Sequence, residues 1–297
     1  MNRCRELGII GQGFVGSAIK EVLDNYFVIE TYDKFLKDAS TCGTLEEISK
    51  KSEFLFLCLP TPMKEDGSCD LSIIEGVISE LNDFKNNNVV IIKSTVVPGT
   101  CSGLNKKYKN LDIIFNPEFL TERFAVQDFR NQNRIILGGE KRVTGLVRRM
   151  YRIPFQKVSI VETNFETAEM TKYFTNNYLT VKVLFANEMY KICERIGINY
   201  DEVMRYSLWD GRIEDSHFDV PGHDGHFGVG GSCFPKDLNA MIHFCKNELG
   251  YDLHILQGAW KTNLEARPER DWEELRGRAV SYKEKGIDRR LSDDEKG

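Results

Sequence analysis

The chain has 297 residues, of which 41% are hydrophobic and 29% are charged, so it can bury a substantial core and divide into two domains. This composition excludes collagen-like, intrinsically disordered and miniprotein classes. The formal net charge of -5 at pH 7 provides no excess of basic side chains for a phosphate backbone, which argues against a nucleic-acid partner and favours a small-molecule enzyme.

The apolar runs of the sequence are all short. The longest are residues 54–59 and 89–92, far below the roughly 20 residues that cross a bilayer, so no membrane span is expected. The first residues carry neither a long apolar segment nor a small-residue cleavage site. We therefore expect a cytoplasmic protein that does not bind membranes.

The first half of the chain alternates short apolar runs with amphipathic stretches. This alternation predicts an α/β fold with a Rossmann-like, doubly wound parallel sheet. Helical patterns lie at residues 15–23, 44–50 and 71–84, and Thr44 with Glu47 forms a capping box in the second of them. The predicted strands are residues 7–10, 28–32, 54–59, 89–93, 113–115, 135–137 and 158–161.

A long helical pattern from about Glu166 to Arg195 opens the second half of the chain. It contains no Pro or Gly and would be roughly 45 Å long. We expect a helical domain built on this helix, which would also bridge to the first domain and form a homodimer contact. Residues 209–232 predict a long loop, and the charges after Asn263 predict a short surface helix near residues 272–280 followed by disorder.

Glycines follow the first predicted strand in a G-x-G-x-x-G pattern. Its residues are Gly11, Gln12, Gly13, Phe14, Val15 and Gly16. Between a strand and a helix, such glycines permit a tight turn, close approach of a pyrophosphate and close helix packing. Asp33 ends the second strand about 20 residues later, where a carboxylate binds an adenosine ribose and repels a 2′-phosphate. We predict NAD rather than NADP; a glycine turn without a nucleotide is the alternative.

Hydroxyl-bearing residues follow the third and fourth predicted strands. Thr61 with Pro62 follows the third predicted strand, and Ser94 with Thr95 follows the fourth. Because the carboxyl ends of parallel strands form the ligand crevice, these residues are candidate cofactor or substrate contacts. Taken alone, each segment is more typical of a turn or a helix cap.

Cys233 is the one cysteine of eight whose surroundings favour a reactive thiol. It follows Gly230, Gly231 and Ser232 and precedes a predicted helix with Pro235 in its first turn. Backbone amides, the helix dipole and nearby lysines would lower the pKa of a thiol there, so Cys233 is a candidate nucleophile. A buried cysteine in a glycine turn is the alternative.

A metal site is not expected from this sequence. No two cysteines are spaced as Cys-x-x-Cys. His217, His223 and His226 precede Cys233 in the predicted loop, but their spacing matches no standard ligand set. These histidines are more typical of hydrogen bonding within a loop.

Several separated motifs, in the same order, resemble those of the UDP-glucose/GDP-mannose dehydrogenase family. Members of this family use NAD to oxidise the primary alcohol of a sugar nucleotide to a carboxylate. The most specific motif is G-G-S-C-F-P-K-D at residues 230–237, and the resemblance covers about residues 5–263. The other matching segments are residues 11–16, 66–72, 94–96, 116–122 and 210–213, together with Lys172, Asn176, Asn187 and Glu188 in the long helix.

The resemblance implies a four-electron oxidation in which Cys233 is the nucleophile. Its thiolate would convert an aldehyde into a thiohemiacetal, and a second oxidation would leave a thioester for hydrolysis. Lys172 would stabilise the oxyanion or assist alkoxide formation, while Asp237 and Asn176 would orient it and a catalytic water. Lys172 and Asn176 lie four residues apart, so they share one helix face. Glu118 would act as the base that hydrolyses the thioester.

The resemblance also implies contacts with both ligands. Glu122 would lie on the nicotinamide side, and Thr95 would serve both catalysis and cofactor binding. Arg212 would reach across the dimer to the nucleotide sugar. The substrate contacts would be Glu118, Phe119, Leu120, Lys172, Asn176, Arg212, Gly228 and Gly230. The implied domains are residues 1–164 for NAD binding, 165–263 for a helical dimerisation domain with the cysteine loop, and 264–297 for a charged, partly disordered tail.

The sequence departs from the family pattern at several points. Full-length relatives carry a third, Rossmann-like domain that binds the UDP or GDP group, and a charged tail stands where that domain would begin. Glu214 and Arg123 occupy positions where the family commonly has Gly. These departures put the identity of the nucleotide and the shape of the sugar pocket in doubt.

Three hypotheses follow from the sequence. The first is a sugar-nucleotide dehydrogenase that lacks the third domain. The second is a β-hydroxyacid dehydrogenase, which shares the NAD domain and a catalytic lysine on a long helix but needs no cysteine. The third is a noncatalytic subunit that depends on a partner for nucleotide binding. The complete motif around Cys233 favours the first.

Overall fold

A seven-stranded sheet forms the N-terminal part of the protein, for which a computed structural model describes residues 6–282. The strands are β1 (Glu6–Ile10), β2 (Val28–Tyr32), β3 (Phe54–Leu57), β4 (Val89–Ile92), β5 (Asp112–Phe115), β6 (Arg134–Gly138) and β7 (Ser159–Thr163). They are hydrogen-bonded in the order β2-β1-β3-β4-β5-β6-β7. All seven predicted strands are present, and the Rossmann-like α/β fold is confirmed.

The direction of the strands differs from the prediction at one junction. β1 to β5 are parallel, and β6 is parallel to β7. β5 and β6 are antiparallel and pair at Phe115 and Gly138. The predicted parallel sheet is thus confirmed except at this junction, which the sequence did not predict because apolar runs do not report the direction in which the chain re-enters the sheet.

Helices cover both faces of the sheet. They are α1 (Phe14–Leu23), α2 (Leu45–Lys51), α3 (Ser72–Phe84), α4 (Thr100–Lys107), α5 (Ala125–Arg130) and α6 (Lys141–Tyr151). One apolar core includes Ile19 of α1 and Val147 of α6, whereas the other includes Ile48 of α2 and Ile78 of α3. β1 lies between β2 and β3, so the chain moves outward from β1 to β2 and then crosses back over β1 to reach β3. The resulting crevice at the carboxyl ends of β1 and β3 is the usual ligand position in such a sheet.

Four further helices form the second part of the protein. They are α7 (Phe165–Ile196), α8 (Tyr200–Ser207), α9 (Phe234–Glu248) and α10 (His254–Ala266). The bounds of α7 agree with the predicted long helix to within one residue at each end. Glu169 of α7 is fully buried, and its carboxylate accepts hydrogen bonds from Gly99 N at 2.7 Å and Cys101 N at 2.8 Å. Because those N–H groups begin α4, α7 is anchored to the sheet domain as well as to its own helices.

Residues 267–282, here called the strap, form an ordered segment after α10. Trp272 is 1% exposed and packs against Trp260, with ring centroids 5.3 Å apart. A short 3-10 turn at Asp271–Glu273 stands in place of the predicted surface helix. That prediction is wrong because the indole of Trp272 is buried against α10. Residues 283–297, where the predicted disorder would fall, lie outside the described residues.

The strap returns to the sheet domain at two loops. Met63 N donates to Ala279 O at 2.8 Å, and Ser281 N donates to Met63 O at 2.8 Å. Arg278 Nη2 donates to Glu122 Oε1 at 2.6 Å. These contacts join the loop after β3 to the loop after β5. Over residues 6–282, no helix has the length and apolar character needed to cross a membrane.

Candidate active site

A glycine turn connects β1 to α1 beside the crevice. Gly11 has a φ of 94°, and a Cβ there would collide with the carbonyl oxygen of Cys58. A Cβ on Gly16 would collide with the carbonyl oxygen of Gly11. By contrast, a Cβ on Gly13, the N-cap of α1, would meet nothing within 4 Å. The fold itself thus requires Gly11 and Gly16, whereas the open backbone at Gly13 leaves space for a pyrophosphate.

The carboxylate of Asp33 closes this turn at the end of β2. Its Oδ2 accepts from Gln12 N at 2.7 Å, and its Oδ1 accepts from Phe35 N at 2.8 Å and Leu36 N at 2.9 Å. Burial raises the pKa of Asp33, but these three N–H donors outweigh it, so the pKa lies below its ordinary value. An anionic carboxylate beside the glycine turn suits an adenosine ribose.

The hydroxyl groups at the ends of β3 and β4 bind neighbouring backbone. Ser94 Oγ accepts from Leu59 N at 3.0 Å, and Thr61 Oγ1 donates to Thr95 O at 2.8 Å. Ser94, Thr61 and Thr95 are all buried. They hold the two strand ends together at the crevice, and their contact with a ligand stays a prediction, as does that of Pro62.

Lys172 of α7 and Glu118, which follows β5, form a buried ion pair. Lys172 Nζ donates to Glu118 Oε1 at 3.0 Å and to Glu118 O at 2.6 Å. Glu118 Oε2 accepts from Leu120 N at 2.7 Å. Burial raises the pKa of Glu118, but Lys172, the Leu120 N–H and Lys93 outweigh it, so the pKa lies below its ordinary value. Phe119 covers the pair, with Lys172 Nζ 5.4 Å from its ring centroid.

One helical turn further along α7, Asn176 belongs to a second cluster of polar side chains. Asn176 Nδ2 donates to Asp237 Oδ2 at 2.6 Å, and Lys236 Nζ donates to Asp237 Oδ1 at 2.5 Å. Asp237 is 1% exposed. Burial lowers the pKa of Lys236, but Asp237 and Cys233 outweigh it and the pKa is raised. Asp237 and Asn176 thus bind each other directly, whereas the partner of Lys172 is Glu118.

Cys233 is the N-cap of α9 and lies among these charges. Its thiol is half-buried, and its pKa is raised above the ordinary value. Burial is the largest cause, Glu118 adds to it, and Lys236 and Lys172 act in the opposite direction. The expected lowering of the pKa is therefore wrong for the chain without ligands, because burial of the thiol has the largest effect and Glu118 adds to it.

The loop that leads into Cys233 is held by side chains from three elements. Gly228 N donates to Asn187 Oδ1 at 2.9 Å, Val229 N to Asn263 Oδ1 at 2.8 Å, and Gly231 N to Asp271 Oδ2 at 3.0 Å. A Cβ at residue 228 would meet Asn263 Oδ1 at 2.6 Å, and one on Gly230 would collide with the guanidinium of Arg267. Gly228, which has a φ of 68°, therefore requires glycine, whereas a side chain at Gly230 would force the Arg267 guanidinium to move.

Two predicted ligand contacts lie apart from this cluster. Arg212 is exposed and pairs with Asp210 two residues before it, with Nη2 and Oδ2 2.5 Å apart. Glu122 is exposed and is bound by Arg278 of the strap. The structure thus brings together Cys233, Lys172, Glu118, Asn176 and Asp237, whereas Arg212 and Glu122 have other partners.

Comparison with known proteins identifies the same family in both halves of the chain. Residues 24–155 match the UDP-glucose/GDP-mannose dehydrogenase family, NAD binding domain, and residues 166–265 match the central domain of the same family. The chain belongs to the UDP-glucose/GDP-mannose dehydrogenase family. A curated relative, UDP-glucose 6-dehydrogenase from Rickettsia conorii, is 33% identical over 242 residues, which cover 78% of this chain and 55% of the relative. The chain thus spans about half the length of the curated relatives it matches.

Solved structures agree with this membership. A UDP-glucose dehydrogenase from Pyrobaculum islandicum aligns with a TM-score of 0.78 at 26% identity, covering 92% of this chain and 71% of that one. A 3-hydroxyisobutyrate dehydrogenase from Mycobacterium tuberculosis aligns with a TM-score of 0.72 at 12% identity, covering 90% and 95%. The second likeness shows the fold alone, so the family assignment rests on the sequence matches.

Membership in this family confirms the prediction of NAD at the level of the domain. The residues present fit the cofactor, because Gly13 leaves its backbone open and the Asp33 carboxylate lies against the same turn. Among the described residues, no group of three or more His, Cys, Asp and Glu side chains is arranged to hold a metal ion.

Two lysines of the site were missed by the sequence reasoning. Lys236 lies within the cysteine motif, from which no role for it is predicted, yet it binds Asp237. Lys93 directly follows the apolar strand β4 and is 3% exposed. A charged residue directly after four apolar strand residues is a signal that would have identified Lys93 as unusual.

Proposed function

We propose that this protein catalyses the NAD-dependent oxidation of the primary alcohol of a sugar nucleotide to a carboxylate, as a UDP-glucose 6-dehydrogenase does. The observation that carries the proposal is the position of Cys233 at the start of α9, among the charges of Lys172, Glu118, Lys236 and Asp237. A dehydrogenase that stops at the aldehyde has no use for such a thiol.

Cys233 would form the covalent intermediate. Its sulfur attacks the carbonyl carbon of an aldehyde, the thiol proton passes to the carbonyl oxygen, and a thiohemiacetal results. The raised pKa means that the thiol is protonated before substrate binds. Lys172 would stabilise the developing oxyanion, because its buried ammonium interacts with the Cys233 thiol as well as with Glu118.

Glu118 would act after the second oxidation, when a thioester links Cys233 to the product. Its lowered pKa keeps it anionic at neutral pH, so it can accept a proton from an attacking water. The carbon–sulfur bond then breaks, the thiol regains a proton and the carboxylate leaves. Asn176 and Asp237 would hold that water, since Asn176 lies one helical turn from Lys172 and binds Asp237 directly.

Bound NAD would supply the hydride acceptor in each of the two oxidations. The chain contributes the binding surface for it. Gly13 would receive the pyrophosphate at the start of α1, and Asp33 would bind the adenosine ribose. Thr61, Thr95 and Glu122 would lie toward the nicotinamide, since they follow the parallel strands β3, β4 and β5, whose carboxyl ends share one edge of the sheet.

The proposal includes the domain division and a homodimer. Residues 1–164 would bind the cofactor, and residues 165–263 would carry the cysteine loop and the dimer contact. Support for the dimer is an exposed apolar face on α7 at helical spacing. Its members are Met170, Phe174, Tyr178, Phe185, Ile192 and Ile196, of which Phe174 is 70% exposed. Contact with a second copy would bury this face and would bring in Arg212 of that copy.

The product ratio tests the proposed chemistry. Purified protein incubated with limiting UDP-glucose and excess NAD should yield two NADH and one carboxylate per substrate. UDP-N-acetyl sugars and GDP-mannose are assayed in parallel. Cys233→Ala should abolish carboxylate formation. Cys69→Ala, which removes a nearby thiol with its sulfur 3.8 Å from Thr95 O, should retain it.

Other outcomes would identify the alternatives. One NADH per substrate with a keto or aldehyde product, unaffected by Cys233→Ala, would point to a dehydrogenase of the β-hydroxyacid type. Binding of NAD without turnover of any sugar nucleotide would point to a noncatalytic subunit. Either result would overturn the proposal.

A further inference from the structure

Lys93 carries a charge into the interior of the sheet domain. It follows Ile92 at the carboxyl end of β4, and it is 3% exposed. Removing an ammonium from water costs free energy unless a carboxylate or several acceptors replace the lost hydration. The contacts of Lys93 should therefore show which groups replace the water around its ammonium.

The hydrogen bonds of Lys93 all go to neutral oxygens. Its Nζ donates to Asn116 Oδ1 at 2.9 Å and to Pro117 O at 3.5 Å. Asn116 Oδ1 also accepts from Tyr151 OH at 2.7 Å, and Asn116 Nδ2 donates to Ile136 O at 2.8 Å. Within residues 6–282, no carboxylate oxygen lies within 4 Å of Nζ. The ammonium thus binds the two residues that lead directly into Glu118.

The charged and titratable groups around Lys93 come from four elements. Cys58 follows β3, Glu118 follows β5, Lys172 belongs to α7 and Tyr151 to α6. Burial lowers the pKa of Lys93 to about 8, and Lys172 contributes in the same direction, while Cys58 and Glu118 oppose it. At neutral pH the ammonium is therefore still charged, and Glu118 is the carboxylate that interacts with it.

We propose that Lys93 is a positioning residue for Glu118, which it orients through Asn116 and Pro117 and keeps ionised through its positive charge. The inference rests on the proposed function, in which Glu118 accepts a proton from water. Lys93 itself has no role in the proposed reaction.

Glu118 needs a second cation because Lys172 has two roles. Lys172 pairs with Glu118 in the chain without ligands, but it is also the cation proposed to stabilise the substrate oxyanion. Once Lys172 binds that oxyanion, its interaction with Glu118 weakens, and a buried carboxylate without a cation would take up a proton. Lys93 is buried and donates to Asn116 and Pro117, and the proposed mechanism assigns it no contact with the substrate oxyanion. It would keep Glu118 anionic during the step that needs a base.

The pH profile of turnover tests this role. In Lys93→Met, an uncharged side chain of similar length, the pKa of Glu118 should rise, so the acid limb of the kcat profile should move to higher pH by on the order of one unit. Lys93→Gln, which retains an N–H donor without a charge, should move it in the same direction. Tyr151→Phe is the matched control, because it removes the other donor to Asn116 Oδ1 and leaves the charge. Its acid limb should stay at the wild-type position.

A titration without substrate separates this proposal from the proposed function. The carboxyl band of Glu118 is assigned in infrared spectra by its loss in Glu118→Gln, and its midpoint is followed with pH. An upward shift in both Lys93 variants, with none in Tyr151→Phe, supports the role of Lys93 whether or not sugar nucleotides turn over. An unmoved midpoint, or an equal shift in Tyr151→Phe, overturns it. Wild-type protein with a normal titration but no turnover would count against the proposed function alone.

Discussion

A buried lysine with an exposed carboxylate partner shows how a single pair can hold a loop. Lys182 of α7 is 7% exposed, and its Nζ donates to Glu214 Oε2 at 2.8 Å and to Glu214 O at 2.6 Å. The Nζ also lies 4.3 Å from the ring centroid of Phe218. Glu214 stands where the family commonly has Gly, and here its side chain fastens the loop before Cys233 to α7.

The stability of this pair should depend on pH. Hydrogen bonds from Lys182 and Ser216 lower the pKa of Glu214 from 4.5 to about 2. A carboxyl whose pKa is lower in the folded state stabilises that state above the unfolded pKa and loses the effect as pH falls through the folded pKa. Glu214→Gln should therefore lower the free energy of unfolding at pH 7 by at most about 1 kcal/mol, since the carboxylate is exposed.

Urea denaturation between pH 7 and pH 3 measures this difference. The wild type and Glu214→Gln should differ fully above pH 4.5 and should converge as pH falls toward 2. Asp215→Asn, a neighbouring change of equal charge, is the control and should show no such convergence. A gap between wild type and Glu214→Gln that stays constant with pH would contradict the assignment.

At the scale of elements, α7 places buried polar residues in three different parts of the protein. Its buried residues include Glu169 at the sheet domain, Lys172 and Asn176 at the active site, and Lys182 at the loop. The sequence predicted the bounds of this helix because a run without Pro or Gly has an unambiguous length. It did not predict the partners, because each lies far away in the chain.

The exposed apolar face of α7 leads to a prediction about assembly. Phe174→Asp with Phe185→Asp should convert the proposed dimer into a monomer, because two charges would be buried in the contact. Sedimentation velocity at micromolar concentration measures the mass. Phe35→Asp, at a residue that is 67% exposed in the sheet domain, is the control and should leave the dimer intact. A wild type that sediments as a monomer would contradict the prediction directly.

At the scale of the whole molecule, the strap ties the cysteine loop to the sheet domain. Arg267 pairs with Asp224 at 2.8 Å and Asp271 at 2.6 Å, and Asp271 also accepts from Gly231 N in the cysteine loop. Further along, Ser281 Oγ donates to Asp70 Oδ2 at 3.0 Å in the sheet domain. The strap thus links the cysteine loop to the loops that border the cofactor crevice.

The apolar anchor of the strap should matter more than its polar end. Trp272→Ala removes a fully buried indole and should lower the free energy of unfolding by about 3 to 5 kcal/mol. Arg278→Ala breaks an exposed ion pair with Glu122 and should cost less than about 1 kcal/mol. Chemical denaturation of both variants provides the comparison. Equal losses would mean that Trp272 does not anchor the strap.

Local patterns in the sequence determined the strands, the glycine turn and the ends of α7, because each depends on neighbouring residues. Thr44 illustrates this, since its hydroxyl accepts from Glu47 N at 3.1 Å as the capping pattern predicts. The antiparallel entry of β6, the burial of Trp272 and the raised pKa of Cys233 were decided by the tertiary structure. Strand direction, burial and electrostatic interaction depend on which distant residues come together, and spacing along the chain does not contain that information.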